Sequence, residues 1–397
     1  MNEIIGKDKL QTAHTTISID NEPPFGRLSL SLVIMTLTAY GMRFAAARIA
    51  ETALRIPCFD AGIFGGSLVQ LLPQAGFPIL TLCGIVGSIV GILLLRRMPS
   101  APIPKRPADY SFLLNSLFCC APLALWGIIL GISAANLLVQ PIRLLGFTAS
   151  VQASAMETGA NSVNVLQTMN SPLALLITII VTPIIDEYIF RRLLIDRSRQ
   201  YGEKTAMEYS AIAYALCSGS LLSFFYAWFI GRILACVYLR TGRLRWPVIM
   251  QMIRSAFTAM LLAATSLFDS HTITLLRDYS IGFVDMAEFR SVLPRVLLGI
   301  LCIAFSVVIQ IIGHFVLFST RTTRTVRTVH TVHSVPVQNG QSRAAARKAD
   351  TAYLWSCKPP AQAGRKAVLS YLANAGSVLL IILFLAQTIC VLFLTGR

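Results

Sequence analysis

Apolar runs long enough to cross a lipid bilayer recur along this chain, and they limit its fold more than any other feature. A membrane-spanning helix needs roughly 20 predominantly apolar residues. The first run covers Leu28 to Met42, with an amphipathic extension carrying Arg43, Arg48 and Arg55. Further runs are Phe77 to Leu95, Ser111 to Leu138, Pro172 to Ile189, Tyr209 to Leu222, Phe224 to Leu239, Trp246 to Phe268, Ser291 to Phe318 and Val368 to Leu394. Together they predict an all-α fold, a polytopic transmembrane helix bundle of about 8–9 spans. Composition agrees, since 55% of the 397 residues are hydrophobic and 13% are charged, against about a quarter charged in soluble domains.

The net charge of +16 has its first explanation in loops held on the cytoplasmic side. Basic residues cluster in alternate loops: Arg96, Arg97, Lys105 and Arg106; then Arg191, Arg192, Arg197, Arg199 and Lys204; then Arg240, Arg243 and Arg245. This alternation predicts a cytoplasmic N-terminus, and no nucleic-acid partner is expected. Residues 1–27 are polar and lack a signal-peptide pattern, so the first span is expected to direct insertion. The nine cysteines are scattered, most of them in apolar runs, without ligand spacing and read as small buried hydrophobes.

Composition divides the chain into a polar segment 1–27, three spans and a small-residue loop over 28–170, a core over 171–268, a loop and span over 269–319, a basic stretch over 320–367 and a terminal span over 368–397. In the basic stretch Arg321, Arg324, Arg327, His330 and His333 recur at every third position. Such a period would line one edge of an extended polyproline-like chain. With Pro336, Pro359 and Pro360 following, a disordered linker is expected, with anionic headgroups of membrane lipids as partner for residues 321–367.

Within the core, Asp186 and Glu187 end an apolar run, where ionisable side chains are costly and mark a site or a paired interior. Glu187 and Arg191 share a helical face with the acid first, the favourable order; Asp186 is rotated by about 100°. A desolvated carboxylate there could serve as a general base for water, or the pair could be a helix-end ion pair marking the membrane boundary.

The run Pro183-Ile-Ile-Asp186-Glu187-Tyr-Ile-Phe190-Arg191-Arg192 resembles the EExxxR motif of the CPBP family of intramembrane proteases, which includes CAAX prenyl endopeptidases and many bacterial homologues. Val237-Tyr-Leu-Arg-Thr241-Gly242, followed by Trp246-Pro247, is similar to that family's turn and the start of its next helix. The resemblance covers roughly residues 170 to 260. It implies an intramembrane endopeptidase core, a bacterial cell membrane, and catalytic roles for Asp186, Glu187 and Arg191. It also implies two histidines that, with the acids, position water or metal. Here the FxxxH frame falls on Tyr214 and Ser218, the HxxxN frame on Gln251 and Ser255, and Asp186 replaces the first Glu. No cofactor and no metal are expected from such residues, because neither Ser nor Gln titrates near neutral pH or binds zinc strongly. Arg232 and Arg254, within spans, are expected as counter-charges for Asp186 or Glu187, or as snorkelling residues.

These features predict a catalytically impaired pseudo-protease that scaffolds or binds a membrane protein or peptide. An active endopeptidase using Glu187 with Ser218 and Gln251, and a transporter or channel component, are the alternatives. No repeat relates the two halves, which counts against transport.

Overall fold

A computed structural model describes residues 25–54, 76–100, 102–105, 109–144, 175–199, 202–268, 272, 274, 277, 286–333 and 374–394. Among these, every extended element is a helix: α1 (Phe25–Leu54), α2 (Gly76–Arg96), α3 (Tyr110–Leu144), α4 (177–198), α5 (Glu203–Cys217), α6 (Leu221–Thr241), α7 (Arg245–Ser266), α8 (Met286–His333) and α9 (Ala375–Leu394). Each answers to one of the expected spans. Four contain stretches long and apolar enough to cross a membrane, Phe25–Ala46, Tyr110–Gln140, Leu221–Thr241 and Val292–Phe318, and shorter apolar helices run over Thr81–Arg96 and Ala375–Ile389. The fold is an all-α membrane bundle.

Two boundaries differ from expectation. The break between the fifth and sixth spans falls at 218–220, a few residues before the expected position, because Ser218-Gly219-Ser220 supplies the turn and the following leucines already belong to α6. Helix α8 runs on to His333, so the start of the basic stretch is helical where an extended, disordered chain was expected. Propagating an existing helix needs no new nucleus, and the first proline that would oppose it is Pro336. The expected loop over 140–170 begins within α3, which runs to Leu144; residues 145–174, the rest of the basic stretch and residues 1–24 lie outside the described residues.

The interior is built from α1, α4, α5 and α9. Phe25, Leu28 and Leu32 of α1 meet Ile189, Phe190, Leu193 and Leu194 of α4, Tyr209 and Ala213 of α5, and Leu380 and Phe384 of α9. A second cluster joins Leu113 and Cys120 of α3 to Ile230, Leu234 and Val237 of α6 and Met250 of α7. Helices α3 and α6 pack most extensively. Gly127 and Gly131, one turn apart on α3, make that possible: a Cβ at Gly127 would stand 2.5 Å from the Tyr226 Cα, and one at Gly131 would strike the Leu222 carbonyl. Without a hydrophobic drive between helices in lipid, such close backbone approach is a main source of association.

Helix α4 is irregular on either side of the acidic pair. Pro183 removes an intrahelical N–H and would press on the carbonyl four residues back, that of Ile179. A wide π-turn over Ile177–Val181, closed by Thr182 N–H donating to Ile177 O, relieves that crowding. A second π-turn covers Tyr188–Ile195. Wide turns of this kind inside α-helices are frequent at functional sites. The end of α6 is set by Gly242, at φ +61°, whose N–H donates to Tyr238 O at 2.8 Å. That is a left-handed cap of the type glycine favours. Pro247 then sits in the first turn of α7, where its missing N–H costs nothing.

Candidate functional site

The two acids separate. Glu187 is fully buried, and its Oε2 accepts from Arg191 Nε at 3.0 Å. Arg191, also fully buried, donates through Nη1 to Ser210 Oγ at 2.8 Å, and Ser210 Oγ donates to Phe190 O at 2.6 Å. The guanidinium lies 5.5 Å from the centre of the Tyr214 ring. These contacts clamp α4 to α5. Glu187 therefore holds Arg191, and it does not stand open to water as the base envisaged from the sequence.

Asp186, one residue earlier, faces a cavity of about 470 Å³ between α1, α2, α4 and α5. Its walls carry Tyr40 and Arg43 from α1, Ser88 from α2, and Tyr214, Cys217 and Ser218 from α5. No ion pair of Asp186 occurs among the described residues. Ser218, at the first histidine position, is exposed there; its Oγ donates to Ala215 O at 2.6 Å and accepts from Ser223 Oγ at 3.0 Å.

Gln251, at the second histidine position, is buried behind this wall. Its Nε2 donates to Tyr214 Oη at 3.2 Å, and its Oε1 accepts from Arg254 Nε at 3.0 Å. Arg254 Nη1 in turn donates to Tyr226 Oη. The degenerate positions Tyr214 and Gln251 are thus in contact, through an arginine-anchored chain that ties α5, α6 and α7 together. Ser255 lies half-buried one turn further along α7 and has no bond to these groups.

Among the described residues no ion pair joins Arg232 or Arg254 directly to Asp186 or Glu187. Arg232 pairs with Glu208 at 2.9 Å, across α6 and α5, and lies over the Trp228 ring. Arg254 engages Gln251 and Tyr226, both uncharged. Glu187 takes its own i+4 arginine because that partner is already on its face and needs no inter-helix reach. Arg43 and Tyr40, which line the cavity, were not singled out from the sequence: they come from the first helix, and only tertiary packing brings them to Asp186. The one signal was an arginine interrupting an apolar run. His314, the lone histidine in a span, sits against Gln310 O of its own helix at 2.8 Å.

Residues 168–257 match the family of type II CAAX prenyl endopeptidase Rce1-like proteins. That segment is similar to the core of a CAAX protease. The match runs from α4 to the middle of α7, the same helices that carry the acidic pair, Ser218, the Thr241-Gly242 turn and Gln251. No curated protein and no solved structure matches the chain. A metal of the kind the family resemblance implies does not fit the residues of this core: among the described residues no three His, Cys, Asp or Glu side chains could hold one, and Asp186, Ser218 and Gln251 offer a single carboxylate between them.

Proposed function

We propose that this CAAX-protease-like membrane protein has lost its endopeptidase chemistry and acts by binding or scaffolding a membrane protein or peptide at the Asp186 cavity. The observation that carries the reading is the replacement of both imidazoles: Ser218 stands in the cavity and Gln251 is held between Tyr214 and Arg254. Neither side chain exchanges protons near neutral pH. General acid–base assistance is worth roughly 10²- to 10⁴-fold, so its loss leaves Asp186 able to polarise water but without a group to protonate the leaving amine. In the same reading the membrane is bacterial, the N-terminus is cytoplasmic, and the basic residues of 321–367 meet anionic headgroups.

A quenched fluorescent peptide ending in a prenylated CAAX sequence, added to reconstituted protein, tests this. Cleavage by the wild type is expected to equal that of empty vesicles, and Ser218→His combined with Gln251→His is expected to raise it. Wild-type cleavage that Asp186→Ala abolishes would establish the second reading, an endopeptidase with an unusual base. That reading is favoured by one observation, the exposure of Asp186 to the cavity, and it moves the base from Glu187 to its neighbour.

A further inference from the structure

The cavity carries two opposite charges that no ion pair joins among the described residues. Arg43 lies against the wall formed by α1 and α2: its guanidinium is 5.3 Å from the Tyr40 ring centre, and its Nη2 is 3.6 Å from where a Cβ on Gly84 would stand. Arg43 hydrogen-bonds the Tyr40 side chain, but among the described residues its buried Nε has no hydrogen-bond partner and no carboxylate pairs with it. Asp186 faces the same space from α4. An arginine and an aspartate among spanning helices are both costly without a paired opposite charge. A single ligand carrying an anion and a cation would satisfy the two together.

The surroundings of the cavity narrow the choice. Leu82 and Ile89 of α2 and Ile180 and Ile184 of α4 are exposed on the helices that flank it, so these two walls offer hydrocarbon to the bilayer. The lining is mixed, with Met35, Ala39, Ile85 and Phe190 beside Thr36 and Ser88. About 470 Å³ is many times the roughly 30 Å³ share of a water molecule. A small zwitterion tethered to acyl chains meets all of these conditions. We propose that the cavity binds the headgroup of a phosphoethanolamine-type phospholipid, its phosphate on Arg43 and its ammonium on Asp186. The planar guanidinium fork suits phosphate oxygens, and an ammonium brings three donors to a carboxylate that has no ion pair among the described residues. This goes beyond the partner-binding reading and stands without it; a peptide entering the same cavity would displace the headgroup.

Full-length protein reconstituted in equimolar palmitoyl-oleoyl phosphatidylethanolamine and phosphatidylglycerol, then re-extracted in mild detergent, can be read by native mass spectrometry. Wild type is expected to retain one phosphatidylethanolamine, enriched roughly tenfold over phosphatidylglycerol, which has the phosphate but no ammonium. Arg43→Gln is expected to lose the retained lipid, and Arg43→Lys to keep most of it. Asp186→Asn is expected to keep one phospholipid but erase the preference between the two. Elution profile and thermal unfolding of the same samples report folding, and the lysine variant carries the comparison where the glutamine variant does not fold. Retention in the bulk lipid ratio by wild type, or unchanged retention by Arg43→Gln, would each overturn the proposal.

Discussion

Asp186 and Glu187 differ by one methylene and one position, yet about 100° of helical rotation sends one to a cavity and the other to the interior. Their substitutions should therefore fail in different ways. Removing one member of a fully buried pair leaves an uncompensated charge and costs about 3–5 kcal/mol. Glu187→Ala strands Arg191 at the α4–α5 contact and is expected to lower the detergent melting temperature sharply, whereas Asp186→Ala, at a cavity wall, should stay within about 1 kcal/mol of wild type. Differential scanning fluorimetry of both variants reads the contrast; equal losses would mean that the two carboxyls share one structural role. A third carboxyl, Asp196, lies beyond the fourth span. Burial pushes it up to about 6 from its ordinary 3.8, against the hydrogen bond from Tyr238 and the charges of Arg192, Arg197 and Arg199, which pull it down. A carboxyl whose folded value lies above its unfolded one contributes stability that is complete below pH 3.8 and is lost as pH rises through 6. Melting at pH 5 is expected to exceed melting at pH 7.5, and Asp196→Asn, which can still accept from Tyr238, should flatten that difference.

At the scale of elements, the closest helix contact rests on small residues. Gly131→Leu would drive a side chain into the Leu222 backbone, and since cores relax only partly around excess volume, α3 and α6 must move apart. The expected outcome is aggregation or loss of the monodisperse peak on size exclusion, while Leu130→Ala, on an exposed site of the same helix, elutes as wild type. Contacts of this sort were not legible in the sequence, where Gly127 and Gly131 are two glycines in an apolar run. The Thr241-Gly242 turn was legible, because its chemistry is local: one residue at φ +61° and one proline in the next first turn. So was the Glu187–Arg191 pair, which needs only helical spacing. The partners of Arg232 and Arg254 were not, since each reaches a side chain on another helix and spacing along the chain says nothing of which helix that is. The helical start of the basic stretch was hidden for a related reason: a period of three describes the side chains, while the backbone continued from the helix before it.

Seen as a whole, the bundle extends the CAAX-protease-like core with helices from both ends of the chain, and the last of them completes its interior. Ser377 of α9 meets Ser29 of α1 at 2.8 Å, Leu380 and Phe384 enter the cluster that surrounds Phe190, and the Phe384 ring lies 5.3 Å from that of Phe224. The buried positions Ser377, Leu380, Phe384 and Gln387 are spaced by three or four, with Thr388 four beyond Phe384, one stripe of a helix. Helix α9 therefore packs on the site-bearing helices α5 and α6 as well as on α1, although it follows the core by more than a hundred residues. Truncating Phe384 to Ala would leave a void between α1, α5 and α6. In soluble cores such a change costs roughly 3–5 kcal/mol, and in lipid, where the transfer part is small, the packing loss remains. We expect Phe384→Ala to lower the melting temperature clearly and removal of residues 374–397 to lower it further. Coexpression of residues 368–397 as a separate chain should restore the complete fold, because the contacts are made by the helix face and not by the connection to it. A truncated protein that melts with the wild type would mean that the core and α1 are self-sufficient and that α9 is only an accessory span.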